Sequence, residues 1–190
     1  MSEAHSRKKE PEKVRRALLD RVATMAVDQG PEAITIQAVA VAAGVTKGGL
    51  LHHFASKQML IEAVFDDLLT QLADEIGRYV AADPVSAGRF TRAYVRAAFA
   101  DHKLGSRSPW AALSITMLSD PGLRQRWSDW LDAQIEAHRA TDSGPTFEIV
   151  RLAADGVWLA DLLRPDGAER RDLAGIEPRL LALIDQGGQD

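Results

Sequence analysis

Apolar residues recur three and four positions apart along nearly the whole chain, and polar residues fill the positions between them. This period is typical of amphipathic helices, and no segment keeps the strict alternation of a half-buried strand. Glycine and proline interrupt the pattern and separate the predicted helices. These helices are 11–29, 35–43, 46–54, 56–81, 86–103, 107–118, 121–141, 145–164 and a last one that ends near residue 185. The pattern therefore predicts an all-α fold of about nine helices.

Prolines bear on where two of these helices start. Pro11 suits the first turn of the first helix, and Pro178 suits the first position of the last one. A last helix that starts nearer Ala168 and kinks at Pro178 is also compatible with the sequence.

The segment 56–81 is long, and its apolar residues keep helical spacing throughout. We expect it to connect an N-terminal domain, residues 1–55, with a C-terminal helical domain. It is counted as the first part of that second domain, residues 56–190.

The second and third predicted helices are short and are separated by a tight turn. Thr35 and Thr46 are suitable helix N-caps, because a threonine hydroxyl accepts a hydrogen bond from a free backbone N–H. Gly44 can adopt the left-handed conformation that joins two crossing helices, and the small Ala40 allows them to approach closely. This arrangement predicts a DNA-binding helix-turn-helix, although an ordinary αα-hairpin has the same spacing.

The outward face of the third helix is polar or lacks side chains, apart from one leucine. Gly48 and Gly49 each cost a helix up to about 1 kcal/mol relative to alanine. Their presence is understandable if DNA approaches the backbone there, in a major groove about 12 Å wide. The outward residues are Thr46, Lys47, Gly48, Gly49, Leu51, His52 and His53.

Charge is distributed unevenly along the chain. The formal net charge is −4, but residues 1–58 carry nine Lys and Arg against six Asp and Glu, a local balance of +3. The remainder has a balance of −7, which fits a DNA-facing first third on an acidic body. Six cations near the N-terminus could reach phosphates or could form an ordinary solvated terminus; they are Arg7, Lys8, Lys9, Lys13, Arg15 and Arg16.

Several function classes find no support in the sequence. The chain has no cysteine, no apolar run of about 18 residues and no apolar region at its N-terminus, so we expect a cytoplasmic protein without a membrane contact. It contains no GxSxG, phosphate-loop or HExxH motif, which argues against an enzyme. His52 and His53 are adjacent on a helix and point about 100° apart, so no metal site is expected. No cofactor is predicted, and a protein-interaction helical bundle is the remaining alternative.

From Val14 to about Val64 the chain resembles the DNA-binding domain of TetR-family repressors. Their signature is a Thr-capped helix, then AGV-S/T-x-G-x-L-Y-x-H-F, then a K-E/Q-x-L start to the fourth helix. One departure matters, because Leu51 stands where the family usually has a tyrosine whose hydroxyl meets a phosphate. The matching residues are Thr35, Ala43, Gly44, Val45, Thr46, Gly48, Leu50, His53, Phe54, Lys57 and Leu60.

The resemblance implies a repressor that binds double-stranded DNA at a palindromic operator and responds to a small-molecule effector. It also implies that the residues nearest the bases are Gln37, Lys47, Gly49 and His52. Without the tyrosine, the grip on the DNA backbone is expected to rest on Thr35, Thr46, Lys47, His53 and Lys57. The residue types fit, since amides pair with adenine and lysine with guanine in the major groove.

The C-terminal part is expected to form a homodimer, because one short recognition helix reads too few base pairs. Its last two helices could supply a four-helix interface or an intrachain core. The string DGVWLADLL is also similar to multidrug-type members of the family. The candidate interface residues are Val150, Ala154, Val157, Trp158, Leu162, Leu181 and Ile184.

An effector pocket is expected among the fifth to eighth helices. Aromatic residues and methionines suit a flat, largely apolar or aromatic ligand, and nearby carboxylates would favour cations. Each candidate could instead be part of the core. The candidates are Phe99, His102, Trp110, Leu113, Met117, Trp127, Trp130, Ile135, His138 and Trp158.

Overall fold

The computed structural model describes residues 3–163, 173 and 175–188. Within these ranges the regular structure is entirely helical, which confirms the all-α prediction, with ten α-helices rather than about nine. Short 3₁₀ turns at Pro31–Ala33 and Gly105–Arg107 follow the first and fifth helices. The helices are α1 Glu3–Gln29, α2 Ile36–Ala42, α3 Lys47–His53, α4 Lys57–Ala82, α5 Arg89–Leu104, α6 Pro109–Ser119, α7 Pro121–Ala137, α8 Arg139–Asp142, α9 Pro145–Leu162 and α10 Ile176–Gly187.

Both proline-based expectations differ from the structure in detail. Helix α1 begins at Glu3, so Pro11 lies inside it; the good helix formers that precede Pro11 outweigh the backbone bond that it removes. Helix α10 begins at Ile176, which makes Pro178 its third residue. A backbone N–H at the third position has no hydrogen-bond acceptor within the helix, so proline removes no helical hydrogen bond there. The alternative start near Ala168 lies outside the described residues.

The predicted helix 121–141 is divided at His138. Its backbone, with φ −108° and ψ 9°, ends α7, and the short α8 follows. The His138 ring stacks on Phe90 with 4.6 Å between ring centroids. The change of direction brings Asp142, at the end of α8, into the core, where its side chain is only 3% exposed.

The chain forms two compact units, Met1–Leu68 and Leu69–Asp190, and the division falls within α4. The core of the first unit consists of apolar residues from α1 to α4. Its innermost side chains are fully buried, and they include Leu18, Val22, Val39, Leu50 and Leu60.

In the second unit, α5 packs against α9 and α10. Gly88, which precedes α5, has a φ of +72°, and a Cβ there would lie 2.4 Å from Cγ2 of Ile184 and 2.8 Å from Cε1 of Phe147. Only glycine allows this approach, because both the conformation and the space exclude a side chain. The start of α5 is thereby fixed against α9 and α10.

Because Gly88 has no side chain, α5 receives its N-terminal cap from another helix. The Asp142 carboxylate accepts hydrogen bonds from the backbone N–H groups of Phe90, at 3.3 Å, and Thr91, at 2.7 Å. The Thr91 hydroxyl accepts a further bond from Arg151 of α9, at 2.8 Å. The Asp142 carboxylate therefore connects α8 to α5, and Arg151 joins α9 to both through the Thr91 hydroxyl and the backbone carbonyl of Asp142.

A second buried polar contact secures the segment that follows α4. Nε of Arg92 donates to Asp83 at 2.6 Å, and Nη2 donates to the carbonyl of Val85 at 2.6 Å. Burial alone would raise the pKa of Asp83, but the hydrogen bond and charge of Arg92 lower it below its ordinary value.

In the described ranges, none of the helices is apolar over enough of its length to cross a membrane.

Replacing Asp142 by alanine tests the cap. The substitution leaves two buried N–H groups of α5 without an acceptor, so we expect the free energy of unfolding to fall by about 2–4 kcal/mol. Urea denaturation followed by circular dichroism measures the change. Asp132→Ala, at an exposed position of α7, is the control and should change stability by no more than about 0.5 kcal/mol. Equal effects of the two substitutions would contradict the role assigned to Asp142.

Candidate nucleic-acid interface and ligand cavity

The turn between α2 and α3 is built on the backbone of Gly44, with a φ of +67°. The N–H of Gly44 donates to the carbonyl of Val41 at 3.1 Å, and that of Val45 donates to Ala40 at 3.0 Å. This pair of bonds is the Schellman arrangement, in which a left-handed residue reverses the chain at a helix end. It holds α3 at a fixed angle to α2, as a helix-turn-helix requires.

Both predicted threonine caps are present. Oγ1 of Thr35 accepts from the N–H of Ala38 at 3.1 Å, and Oγ1 of Thr46 accepts from Gly49 at 3.0 Å. Each hydroxyl uses its oxygen for the cap and keeps its proton as a donor. Both threonines are exposed, so these O–H groups are available to an acceptor such as a phosphate.

Helix α3 has one buried side and one exposed side. Leu50 is fully buried, and Phe54 after the helix is 2% exposed. On the opposite side, the exposed residues are Thr46, Lys47, Gly48, Gly49 and His52, whereas Leu51 and His53 are half-buried. The side that faces away from the core is therefore polar, or has no side chain, at every exposed position.

Gly48 is not required by the packing of the chain. A Cβ at this position would meet no atom within 4 Å, and its φ is not positive. A Cβ at Gly49 would lie 3.2 Å from Oγ1 of Thr46. The absence of a side chain at Gly48 is thus unexplained by the fold and leaves the backbone of α3 open to a large partner.

Two further candidates lie at helix starts. Gln37 is exposed in the first turn of α2, and Lys57 is the exposed first residue of α4. Ser56 caps α4, its Oγ accepting from the N–H of Met59 at 3.1 Å. A helix start carries partial positive charge and free N–H groups, which favour an anion. Among the described residues, neither Lys47 nor Lys57 has a salt-bridge partner.

Two of the N-terminal cations are already engaged by the protein. The guanidinium of Arg15 lies 5.3 Å from the centroid of the Phe54 ring. Arg16 is paired with Asp20, at 2.9 Å from Nε, and with Asp67. The hydrogen bond to Asp20 is the main reason that the pKa of Arg16 is raised. Lys13 is exposed, and the side chains of residues 7–9 lie outside the described part of the structure.

The second unit contains a cavity of about 150 Å³. Four predicted pocket residues lie in its wall: Trp110, Met117, Trp127 and Trp158. Seven wall residues were missed by the sequence analysis: Leu72, Tyr94, Ala97, Ala98, Asp101, Ala154 and Asp155.

The other pocket candidates lie elsewhere in the unit. Phe99 and Leu113 are buried, and His102 meets the edge of Phe99 with 6.3 Å between ring centroids. His138 stacks on Phe90. Trp130 stacks on Trp127, and both Trp130 and Ile135 pack against the hydrophobic core.

The missed residues carry a signal in retrospect. Tyr94, Ala97, Ala98 and Asp101 are spaced so that they share one face of α5. Two alanines between a tyrosine and an aspartate leave space on that face. Alanine is so common in helices that this spacing alone does not distinguish a cavity from close packing.

Polar groups in and around the cavity are fixed by hydrogen bonds. The hydroxyl of Tyr94 donates to Asp155, and that of Ser108 donates to Asp101. Nε1 of Trp158 donates to Oγ of Ser114 at 2.8 Å. Burial raises the pKa of Asp155 above its ordinary value, against the lowering effects of the Tyr94 bond and of the Arg151 charge. The pKa of Tyr94 is raised by burial and by the charge of Asp155, so its phenol stays protonated.

Four of the candidate interface residues are buried within the single chain. Val150, Ala154 and Ile184 have no exposed surface, and Val157 is 6% exposed. Trp158 lies in the cavity wall, and Leu162 and Leu181 are half-buried. These four side chains belong to the hydrophobic core of the single chain, which was one of the two alternatives that the sequence left open.

The opposite side of α9 is exposed and apolar. Alternating steps of three and four, the spacing of a helix-packing seam, separate Ile149, Leu152, Gly156 and Leu159 of α9 and Leu163, which directly follows the helix. Leu183 of α10 is also exposed, at 43%. We refer to Ile149, Leu152, Gly156, Leu159 and Leu163 as the α9 stripe.

The fold and the α3 surface together define a DNA-binding helix-turn-helix regulator, and comparisons with known proteins identify its family. Residues 18–64 match the model for bacterial regulatory proteins of the tetR family, and residues 88–185 match the tetracyclin repressor-like C-terminal domain. The chain belongs to the TetR family of DNA-binding transcriptional regulators, which are not enzymes.

Curated relatives match over different lengths. The transcriptional regulator BetI 2 of Chromohalobacter salexigens is 30% identical over 186 residues, which cover 86% of each chain. The transcriptional repressor KstR2 of Mycolicibacterium smegmatis is 41% identical over 70 residues, or 37% of this chain. That match spans only 33% of the KstR2 sequence.

Solved structures show the same fold at low identity. The multidrug binding protein EbrR, complexed with malachite green, has a TM-score of 0.67 and 19% identity, with 90% of this chain and 97% of that chain covered. A TetR-family member from Streptomyces coelicolor A3 has a TM-score of 0.63 and 23% identity, with 90% and 98% covered.

Substitution of Gly48 by alanine tests the open backbone of α3. Alanine raises helix propensity and meets no atom, so we expect stability to rise by up to about 1 kcal/mol. If DNA approaches this backbone, operator affinity should nevertheless fall by about tenfold or more. Thermal denaturation and fluorescence anisotropy with labelled operator measure the two effects.

Gly77→Ala is the matched control, because Gly77 lies inside α4 and a Cβ there would also meet no atom within 4 Å. It should stabilise the protein without changing DNA affinity. If Gly48→Ala left operator affinity intact, close approach of DNA to this backbone would be refuted.

Proposed function

We propose that this protein is a repressor that binds a palindromic operator as a homodimer and is released by a small, largely apolar or aromatic ligand. The observation that carries the DNA-binding part is the exposed side of α3, which is polar or lacks side chains and is held by the Gly44 turn. KstR2, a relative over 37% of this chain, is named as a repressor, which supports repression as the outcome.

The proposed interface divides into residues that read bases and residues that grip phosphates. Gln37, Lys47, Gly49 and His52 are assigned to the bases. All four are exposed, and the lysine and the glutamine have the donors that major-groove recognition uses. Thr35, Thr46 and Lys57 are assigned to the phosphate backbone, because each combines a donor with a helix N-terminus.

His53 and Leu51 complete the interface in a smaller role. Both are half-buried, so each presents only part of its side chain. The Leu51 side chain has no hydrogen-bond donor. More of the contact with the DNA phosphates is therefore assigned to Lys57 and to the hydroxyls of Thr35 and Thr46.

A homodimer supplies the two recognition helices that a palindrome requires. We assign its interface to the α9 stripe together with Leu183. These side chains are apolar and exposed, and the stripe has the spacing by which helices pack in pairs. Leu162 and Leu181 are half-buried, and we assign their remaining exposed surface to the same interface.

The effector is proposed to act through α4. This helix begins with the phosphate-gripping candidate Lys57, and its residue Leu72 lies in the cavity wall. A ligand that binds one position of α4 better than another shifts the population of the two states. A ligand that saturates the cavity without changing operator affinity would contradict this mechanism.

Charge-removing substitutions test the interface. Lys57→Ala should weaken binding to all DNA sequences alike and should reduce the steepness of the salt dependence, because a phosphate contact releases counterions. Lys47→Ala should instead alter the sequence preference, with a loss of about 1–3 kcal/mol at the affected base pair. Both effects are measured by anisotropy titrations at several salt concentrations against operator variants.

Lys103→Ala is the matched control for loss of a positive charge, since Lys103 is exposed on α5 and pairs only with Glu177 among the described residues. Its salt dependence should equal that of the unmodified protein. The proposed docking is wrong if Lys57→Ala and Lys47→Ala both behave like this control.

The dimer interface is tested by Leu152→Glu, which places a charge in the middle of the α9 stripe. We expect the dimer dissociation constant to rise at least about 100-fold, or about 2.7 kcal/mol, because the charge would be buried without a partner. Sedimentation equilibrium measures the constant. Ile115→Glu is the control, since Ile115 is 59% exposed on α6 and Leu152 is 63% exposed. Dissociation by the α6 variant alone would locate the interface elsewhere.

A further inference from the structure

We propose that the cavity takes a flat aromatic cation and that Asp155 is the residue that selects for its positive charge. This inference rests on the proposed function of the cavity as the effector site. It goes beyond that proposal by assigning the charge of the ligand and the side chain that recognises it.

The first support is the charge of the wall. The described lining residues include two carboxylates, Asp101 and Asp155, and no lysine, arginine or histidine. The remaining polar groups are the Tyr94 hydroxyl and the indole N–H groups, which are neutral. A bound cation would therefore meet negative charge on the wall, whereas a bound anion would meet no described positive side chain there.

The second support is the aromatic character of the wall. Trp110, Trp127, Trp158 and Tyr94 all line the cavity, and the rings of Trp110 and Trp127 are nearly perpendicular, at 76° with 5.7 Å between centroids. Perpendicular rings present a face and an edge to the same space. Indole faces attract cations, most strongly where water is excluded. The bond from Trp158 to Ser114 fixes one of these indoles in place.

The third support is the environment of Asp155. Its carboxylate receives a neutral hydrogen bond from Tyr94, which is 4% exposed. Arg151, one turn earlier on α9, directs Nη1 to the Thr91 hydroxyl at 2.8 Å and to the carbonyl of Asp142 at 3.4 Å. No salt bridge joins Asp155 to a cation of the described residues. Burial disfavours its ionised form, so a cation placed against this carboxylate gains more than it would at the surface.

The α5 face defines the space beside this carboxylate. Tyr94 and Asp101 are two turns apart, which is about 10 Å along the helix. Ala97 and Ala98 lie between them and occupy little volume. A flat ring can lie over the alanines with its charge toward Asp155, while Ser108 already donates to the more distant Asp101.

Two probes that differ only in charge test the proposal. 1-Methylquinolinium and 1-methylnaphthalene have the same shape, and a two-ring skeleton is large enough to contact two indoles at once. Isothermal titration calorimetry with the full chain measures both affinities. We expect the cation to bind at least about tenfold more tightly than the neutral probe.

Asp155→Asn removes the charge but keeps an oxygen that can accept the Tyr94 hydrogen bond. In this variant the preference for the cation should fall to about threefold or less, with the affinity for the neutral probe unchanged. Asp132→Asn, an exposed carboxylate of α7 outside the wall, is the matched control and should keep the full preference. Tyr94→Phe leaves the Asp155 charge in place and should also keep it.

The outcomes separate this inference from the proposed function. If both probes bind equally, or the neutral one binds better, the charge inference fails while the cavity remains a ligand site. If neither binds, the inference fails together with the assignment of this cavity as the effector site. The role of Asp155 would be overturned if the Asp155→Asn variant kept the full preference for the cation. It would also be overturned if only the Tyr94→Phe variant lost that preference.

Discussion

The left-handed backbone of Gly44 is the constraint on which the DNA-facing surface depends. Its positive φ allows the N–H groups of Gly44 and Val45 to bond back to α2, which sets the direction in which α3 leaves the turn. With α3 in that direction, Leu50 is directed into the core, and Lys47, Gly48 and His52 are left outside. A residue with a Cβ at position 44 would strain this turn, and every exposed donor of α3 would be displaced with it.

A comparable constraint organises the second unit. Gly88 allows α5 to start against α9 and α10, and Asp142 supplies the cap that a glycine lacks. The same α5 carries Tyr94 and Asp101 on the face that lines the cavity. The packing that gives α5 its position therefore also sets the shape of the proposed effector site.

Several residues are poor choices for stability alone, and their locations coincide with the proposed interfaces. Gly48 weakens α3 without relieving any contact, and the partial burial of Asp155 disfavours its charge. The α9 stripe exposes large apolar side chains. Sites of this kind are expected where a protein retains local instability for the sake of a partner. Here the proposed partners are DNA, a ligand and a second copy of the chain.

Local chemistry explains why the first domain was predictable from sequence. Threonine caps, a glycine in a turn and an apolar stripe act over a few residues, so the positions of Thr35, Gly44 and Thr46 already specify α2, the turn and α3. The helical period was equally informative for the other elements. The predicted helix boundaries were wrong at three places: at Pro11, where good helix formers extend α1; at Pro178, which is the third residue of α10 and not the first; and at His138, where a tertiary contact with Phe90 accompanies the break.

The second unit was less predictable, because its site depends on which face of each helix turns inward. Composition pointed to tryptophans and a methionine, and four of these lie in the cavity wall. The small residues Ala97 and Ala98 and the carboxylate of Asp155 carried no distinguishing signal. The apolar residues of α9 were recognised as a packing face, but the sequence could not tell an intrachain face from an intermolecular one.

The sequence by itself determined the helical fold, the helix-turn-helix and the chemical character of its exposed face, because these follow from interactions between residues close in the chain. Only the tertiary structure decided that Val150 and Ala154 belong to the core while Ile149 and Leu152 remain exposed. It alone brought Tyr94, Asp155 and the tryptophans around one space. Those outcomes depend on contacts between distant helices, and a periodic apolar pattern does not specify the partner of each face.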